Sequence, residues 1–309
     1  MVEEIIISAP ARLHLGMINP FNRDLRLYTS VGLAIDHPRT TVVVRRNREL
    51  SINGLRSFEI RERIYPLVKK YNLQEGAVEV IESIPKHVGL GSTTQLLLSV
   101  AKGLLIANEV EFDIEEVSSM LRVGEISGVG KYAFQYGGFI VDSGVKNKSF
   151  PKLYMRLDFP EEWGFIVVVP NGVGLTDDEE KRVFSQAFPV PVSLIHEASF
   201  HLFVEMIPSL KEKDHVGFAE GLEKFQLTVG KMFSEYQGGV FSTYSERAVH
   251  TLKKLGIRGV GQSSWGPAVY GFLPSIDEVD YIRQRILDQL NARVYVVRPD
   301  NKGAVVEYR

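Results

Sequence analysis

The segment Pro85–Gln95 (PKHVGLGSTTQ) constrains this chain more than any other, because of what stands on either side of it. Before it, Ala77–Ile84 (AVEVIESI) alternates apolar and polar residues as a half-buried strand does. After it, Ser92–Ala107 is apolar on most faces, which predicts a helix buried at the centre of a domain. A strand, a glycine-rich turn and a helix start in that order bring free backbone N–H groups to one point. Gly89 and Gly91 permit positive φ and close approach of a ligand, and Ser92, Thr93 and Thr94 open the helix. Unpaired N–H groups and the helix dipole make such an end an anion site. The segment lacks the Gly-Lys-Ser/Thr ending of a P-loop and the third glycine of the dinucleotide fingerprint.

Composition narrows the chemistry. No cysteine occurs among 309 residues, which excludes disulfides, thiolate metal sites and a cysteine nucleophile. Lys and Arg total 36 against 38 for Asp and Glu, a balance that disfavours general nucleic-acid binding. No apolar run is long enough for a membrane helix and the N-terminus is acidic, so a cytoplasmic location is expected. The remaining elements alternate irregularly. Strands are expected at Ile5–Ser8, Thr40–Arg45, Gly137–Val141, Gly164–Val169, Ala268–Phe272, Arg293–Val297 and Ala304–Glu307. Helices are expected at Gly54–Tyr71 with a kink or a break at Pro66, Ile114–Val123 with Asp113 as N-cap, Ser193–Ile207, His215–Phe233, Tyr244–Leu255 and Ile276–Leu290. That mixture indicates an α+β protein, and the polar stretch Lys146–Pro151 places a boundary near residue 150.

Three further segments share the character of the first. Ala9–Gly16 (APARLHLG) puts Arg12 and His14 on one face of a strand. Ser127–Gly144 (SGVGKYAFQYGGFIVDSG) is a second glycine-rich helix start. Gly256–Phe272 carries a third glycine-serine loop, with Gly261, Gln262, Ser263 and Ser264. In this order the four segments resemble the GHMP small-molecule kinase superfamily. The resemblance implies a two-domain fold: residues 1–150 like ribosomal protein S5 domain 2, and residues 151–309 ferredoxin-like, with the ligand between them.

Within that superfamily, the stretches at Ala11, Gly89, Ser127 and Gly259 are similar to the β-ribofuranosylaminobenzene 5′-phosphate synthase family of archaeal methanopterin biosynthesis. Gly174–Phe184 and the Gly238–Gly239 pair fit as well. That resemblance implies transfer of phosphoribose from phosphoribosyl pyrophosphate to 4-aminobenzoate or 4-hydroxybenzoate, releasing carbon dioxide and pyrophosphate, with Mg²⁺ as the expected cofactor. The alternatives are an ATP-dependent sugar or alcohol kinase and a non-catalytic relative that keeps the fold. Superfamily kinases often carry an Asp where this chain has Gly130, and losing the carboxylate that receives the hydroxyl proton weakens the kinase reading.

The resemblance also suggests roles. Arg12, His14 and Ser127 are the candidate catalytic residues. Lys86, His87, Gly89, Gly91, Ser92, Thr93, Thr94 and Gln95 would bind phosphate, Ser127, Gly128 and Gly130 would form a second anion nest, and Gly261, Gln262, Ser263 and Ser264 would close the site. Trp265 has a plainer reading as core, Asp142 as a turn former, and Asp177–Glu180 as an acidic helix start. His196 and His201 are out of register for one helix face. The expected partners are the small-molecule substrates, with no nucleic acid and no membrane, and a homodimer is compatible with the sequence.

Overall fold

The computed structural model describes residues 3–146, 149–277 and 279–309; Asn147 and Lys148, within the expected boundary segment, lie outside the described residues. The first half runs β1 (Glu4–Met17), β2 (Ser30–Arg45), β3 (Ser51–Gly54), α1 (Ser57–Tyr71), β4 (Ala77–Glu82), α2 (Ser92–Ala107), α3 (Ile114–Met120), α4 (Val129–Tyr136), β5 (Phe139–Asp142) and β6 (Leu153–Leu157). The second runs β7 (Gly164–Pro170), α5 (Asp177–Gln186), α6 (Val192–Phe200), a π-helical segment His201–Met206, α7 (Ile207–Glu212), α8 (His215–Gln237) and α9 (Thr243–Lys254). It closes with β8 (Arg258–Gln262), β9 (Val269–Leu273), α10 (Asp280–Leu287), β10 (Ala292–Val297) and β11 (Val305–Tyr308).

Two sheets result. One has the path β11-β1-β2-β4-β3, with β5 pairing β2 and β6 pairing β5; the other has the order β10-β7-β9-β8. The second sheet, antiparallel throughout, follows the β-α-β-β-α-β plan of a ferredoxin-like domain with α9 and α10 as the two helices on one face, and α5 to α8 added between β7 and α9. The expected boundary near 150 falls between β5 and β6 of the first sheet, and β11 returns to that sheet from the far end of the chain.

Burial explains the layers. Helices α1 to α3 cover one face of the first sheet, where Ile7, Val42 and Val44 meet Leu97, Ala101 and Leu104 of α2. A larger core takes in the opposite face, with Leu13, Leu15, Val31 and Leu33, together with Phe165 and Tyr270 of the second sheet and Phe218, Leu222 and Phe225 of α8. Helices α9 and α10 close the second sheet with Ala248, Leu252 and Ile286. No described helix is long and apolar enough to cross a membrane. α1 runs through Pro66 without a break; the proline lies past the helix middle and removes a single backbone donor. Asp113 does cap α3, accepting from the Glu115 N–H at 2.9 Å.

The approach of α4 to the sheet depends on Gly32 in β2. A Cβ there would lie 2.3 Å from Val129 Cγ1 and 2.5 Å from the Leu13 carbonyl oxygen. Gly32→Ala is therefore expected to destabilise the protein by about 1–3 kcal/mol, because strand and helix must both shift. An unchanged midpoint in urea denaturation would contradict this packing.

Candidate active site

The loop between β4 and α2 is held by bonds from three distant parts of the chain. Gly89 has φ 85° and Gly91 φ 84°, both in the left-handed region. A Cβ on Gly89 would come within 2.2 Å of the Ser263 carbonyl oxygen, so only glycine fits there. The Gly89 carbonyl accepts from Arg12 Nη1 at 2.5 Å and from Ser263 Oγ at 2.6 Å. Ser263 Oγ also accepts from the His14 N–H, and the Ser264 N–H donates to the His14 carbonyl. The Arg12 N–H donates to Leu90, Ala268 to Val88, and Gly174 to His87. The segments that looked alike in sequence are thus one stitched assembly. No side chain caps α2 at Gly91, which leaves its first turn to an external acceptor.

The hydroxyls of that turn differ in their partners. Ser92 Oγ donates to the Ile84 carbonyl and accepts from Arg56 Nη1, both at 2.6 Å. Thr93 Oγ1 accepts from Arg56 Nη2 at 3.2 Å. Arg56 also forks onto Glu59, which takes Lys86 Nζ at 3.0 Å. Burial pushes the Glu59 carboxyl up, but hydrogen bonds from Arg56 and Lys86 outweigh it and hold it at about 2. Lys86, expected to bind phosphate, is therefore turned to Glu59 and lines neither cavity chamber described below. Gln95 is buried beneath the loop, with Nε2 on the Gly130 carbonyl at 2.8 Å.

Two chambers meet at this assembly. A loop chamber of about 170 Å³ is lined by Pro85 and His87–Thr94. A large chamber of about 180 Å³ lies beside it, and the two share Arg12, Thr93, Thr94, Glu180, Ser264 and Trp265. Met17, Phe184, Val229, Phe233 and Phe241 give the large chamber an apolar wall. Trp265 packs edge-on against Phe233 at 4.9 Å and Phe184 at 6.0 Å, while its Nε1–H donates to Glu180 at 2.9 Å. It is packed as core and still faces the cavity.

The acid run Asp177–Glu180 does begin a helix, and its members separate. Glu179 closes a capping box with Thr176, whereas Glu180, one position on, faces both chambers. Nothing is described of the Asp177 side chain. Burial lowers Arg12 to about 10, with Glu180 opposing the shift, so the guanidinium is cationic at neutral pH. Burial, aided by the Arg12 charge, lowers His14 to about 3. His14 therefore faces the cavity as a neutral imidazole.

The expected anion nest at Ser127–Gly130 is filled by the chain itself. The Gly128 N–H donates to Asp142 Oδ2 at 2.7 Å, and Asp142 Oδ1 accepts from Ser30 and Gly144. Ser127 lines the large chamber, but Gly128 and Gly130 do not. A Cβ on Gly130 would sit 3.2 Å from Thr94 Cγ2. Of the closing segment, Gln262 and Ser264 reach the large chamber, while Ser263 acts from below through Gly89. Gly261 is needed for packing, since a Cβ there would meet Gln226 and the Tyr270 hydroxyl at 2.5 Å. Among the described residues no group of three His, Cys, Asp or Glu is placed to hold a metal by itself, and His201 is bonded to Glu205. Sequence reasoning missed Arg56, Arg63, Arg122 and Lys181, which face or brace the cavity from three separate elements.

The His14 shift has a definite sign. Its folded pKa lies below its unfolded value, so the folded state binds fewer protons between them, and stability is lost as pH falls from 6.5 toward 3. That loss approaches about 1.4 kcal/mol per pH unit. His14→Gln is expected to flatten the acid limb of stability against pH, read from urea midpoints between pH 4 and pH 7. An equally steep limb in the variant would reassign the effect.

Comparison with known proteins agrees with this architecture. No family model matches the chain. Beta-ribofuranosylphenol 5′-phosphate synthase of Methanothermobacter thermautotrophicus is 29% identical over 295 residues, covering 87% of this chain and 89% of that protein. The protein of the same name from Methanocaldococcus jannaschii is 26% identical over 302 residues, with the same two coverages, 87% and 89%. Among solved structures, mevalonate pyrophosphate decarboxylase from Streptococcus pyogenes superposes with TM-score 0.71 at 14% identity, over 97% of this chain and 98% of that one. Homoserine kinase from Cytophaga hutchinsonii gives TM-score 0.69 at 16% identity, over 99% and 98%. The chain has the fold of the GHMP kinase superfamily, and along most of its length its sequence is similar to the beta-ribofuranosylphenol 5′-phosphate synthases.

Proposed function

We propose that this protein is a decarboxylating phosphoribosyltransferase, joining phosphoribosyl pyrophosphate to a 4-substituted benzoate as a step of methanopterin biosynthesis. One observation carries the reading: an uncapped helix start opens, through Arg12, Thr93 and Thr94, onto an aromatic-walled chamber. The name of the relatives supports 4-hydroxybenzoate as acceptor, since a phenol product keeps that ring's hydroxyl.

The chemistry balances without a strong base. The bond from ribose C1 to pyrophosphate breaks with its electron pair on the leaving oxygen. The ring carbon bearing the carboxylate bonds to C1, then releases the carboxyl as carbon dioxide, and that electron pair restores the aromatic ring. The first turn of α2 and the Arg12 cation would receive the developing pyrophosphate charge. Phe184, Phe233 and Trp265 would hold the ring against C1, where positioning supplies most of the rate. Glu180 faces both chambers and suits a magnesium ion carried by the substrate phosphates, which when bound would neutralise charge on the leaving group. A kinase would need a group near position 130 to receive a hydroxyl proton, and there Thr94 closes over glycine.

Incubation with phosphoribosyl pyrophosphate, Mg²⁺ and carboxyl-labelled 4-hydroxybenzoate is expected to release labelled carbon dioxide and pyrophosphate in equal amounts. ATP turnover with an alcohol acceptor, and no carbon dioxide, would refute the reading. Arg12→Gln should lower kcat/KM by about 100-fold or more, as loss of a charge-stabilising donor does.

A further inference from the structure

We propose that the His14 imidazole hydrogen-bonds the 4-substituent of the acceptor ring, and takes up and then returns that substituent's proton while the ring is joined to ribose C1. The inference rests on the phosphoribosyl-transfer reading and deepens it, by naming the group that recognises the far end of the acceptor.

A polar ring without a partner is the first support. His14 is 6% exposed and lines the large chamber. Its backbone is held on the loop before β9, with the N–H on Ser263 Oγ at 2.9 Å and the carbonyl under the Ser264 N–H at 3.2 Å. Among the described residues its imidazole has no hydrogen-bond partner. The three glutamines of the chamber are engaged, by contrast. Gln226 bonds the Gln262 N–H and the Leu15 carbonyl, Gln262 bonds Gln237 and the Ser242 N–H, and Gln237 also bonds the Val240 carbonyl. Buried polar groups are normally paired, so an imidazole left open toward a cavity is placed for a ligand.

Position is the second. Arg12 and His14 flank the buried Leu13 in an unbroken stretch of pairing with β2, so they face one side, about 7 Å apart at the rise of a strand. Arg12 stands where the two chambers meet, and His14 lines the large one alone. Past His14, β1 presents Gly16 and Met17 to the chamber and no further side-chain nitrogen or oxygen. A benzoate that attacks C1 through the carbon bearing its carboxylate keeps that carboxylate at the junction, beside Arg12. Its 4-substituent then points along the strand, and the length of the ring matches the step from Arg12 to His14.

The chemistry needs a group at that point. As the bond to C1 forms, the ring loses its aromaticity and positive charge reaches the 4-oxygen. The hydroxyl proton passes to the imidazole nitrogen that carries no hydrogen, leaving a dienone and an imidazolium. Departure of carbon dioxide leaves its electron pair in the ring, the carbonyl becomes a phenolate, and the phenolate recovers the proton. No other reactant is consumed. Burial, aided by the Arg12 charge, lowers His14 to about 3, so the ring is neutral when the acceptor binds. So weak a base leaves a free phenol intact. It serves a hydroxyl that becomes acidic only during bond formation, and it gives the proton back readily.

Two readouts on the full chain test the role. In titration calorimetry the unmodified protein is expected to bind 4-hydroxybenzoate about fivefold more tightly than benzoate, the worth of one hydrogen bond. His14→Ala should bind the two equally, and His14→Gln should keep part of the preference. In carbon dioxide release, both variants should lose about 100-fold in kcat and hold KM for phosphoribosyl pyrophosphate within about threefold, because an amide bonds the hydroxyl but accepts no proton. His14→Gln keeps the test valid if His14→Ala unfolds. Equal binding of the two benzoates by the unmodified protein, a preference that survives in His14→Ala, or an unchanged kcat in His14→Gln would overturn the proposal. A preference that vanishes in His14→Ala, with no carbon dioxide released by the unmodified protein, would overturn the transfer reaction and leave His14 as the partner of the ring substituent.

Discussion

One carbonyl oxygen organises this site. Gly89 O receives a guanidinium from β1 and a hydroxyl from the loop between β8 and β9. Both donors are largely withdrawn from solvent, so each bond would be costly to leave unmade. The carbonyl can accept both because glycine lets the backbone press against Ser263 with no Cβ in the way. That contact is one of several that join the two sheets here, with His14 bonded to Ser263 and Ser264 and Ala268 to Val88. Arg12 lies over Gly91, and Thr93 and Thr94 of the first turn of α2 face the cavity.

The site divides its electrostatic work. At the α2 start the lining sets Arg12 against Glu180, and the oriented N–H groups of the first turn are what would attract an anion. In the large chamber the field comes from arginine and lysine side chains set over an apolar wall. Arg56 and Glu59 belong to neither set. They lock Ser92 and Thr93 from behind, so these hydroxyls serve the shape of the loop before they serve any ligand.

Much of this was legible in the sequence, for physical reasons that differ by element. The loop and α2 could be read because glycine spacing, a helix start and an apolar run are local signals. The strand β8 (RGVGQ) could not, since two glycines imitate a turn and its pairing with β9 is tertiary. β3 buries one residue of four, and β6 is half exposed, so neither shows the alternation of a covered strand. The fate of side chains was less accessible. Ser92 and Thr93 look like free hydroxyls at a helix start, but Arg56, 36 residues before Ser92, bonds both. Glu179 and Glu180 differ by one step of helix rotation, which puts one in a cap and the other in the cavity. Gly128 looked like part of a nest, and only the fold brings Asp142 to its N–H.

The pairing of β11 with β1 reaches beyond the site. Ile5 lies opposite Tyr308 and Ser8 opposite Val305, on the strand that continues to Arg12 and His14. During synthesis this edge of β1 must wait, unpaired, until β11 has been made. Contacts so distant in sequence form late, and an open strand edge is a template for intermolecular pairing in the interval. The strand that carries Arg12 and His14 is thus made long before the strand that completes its edge.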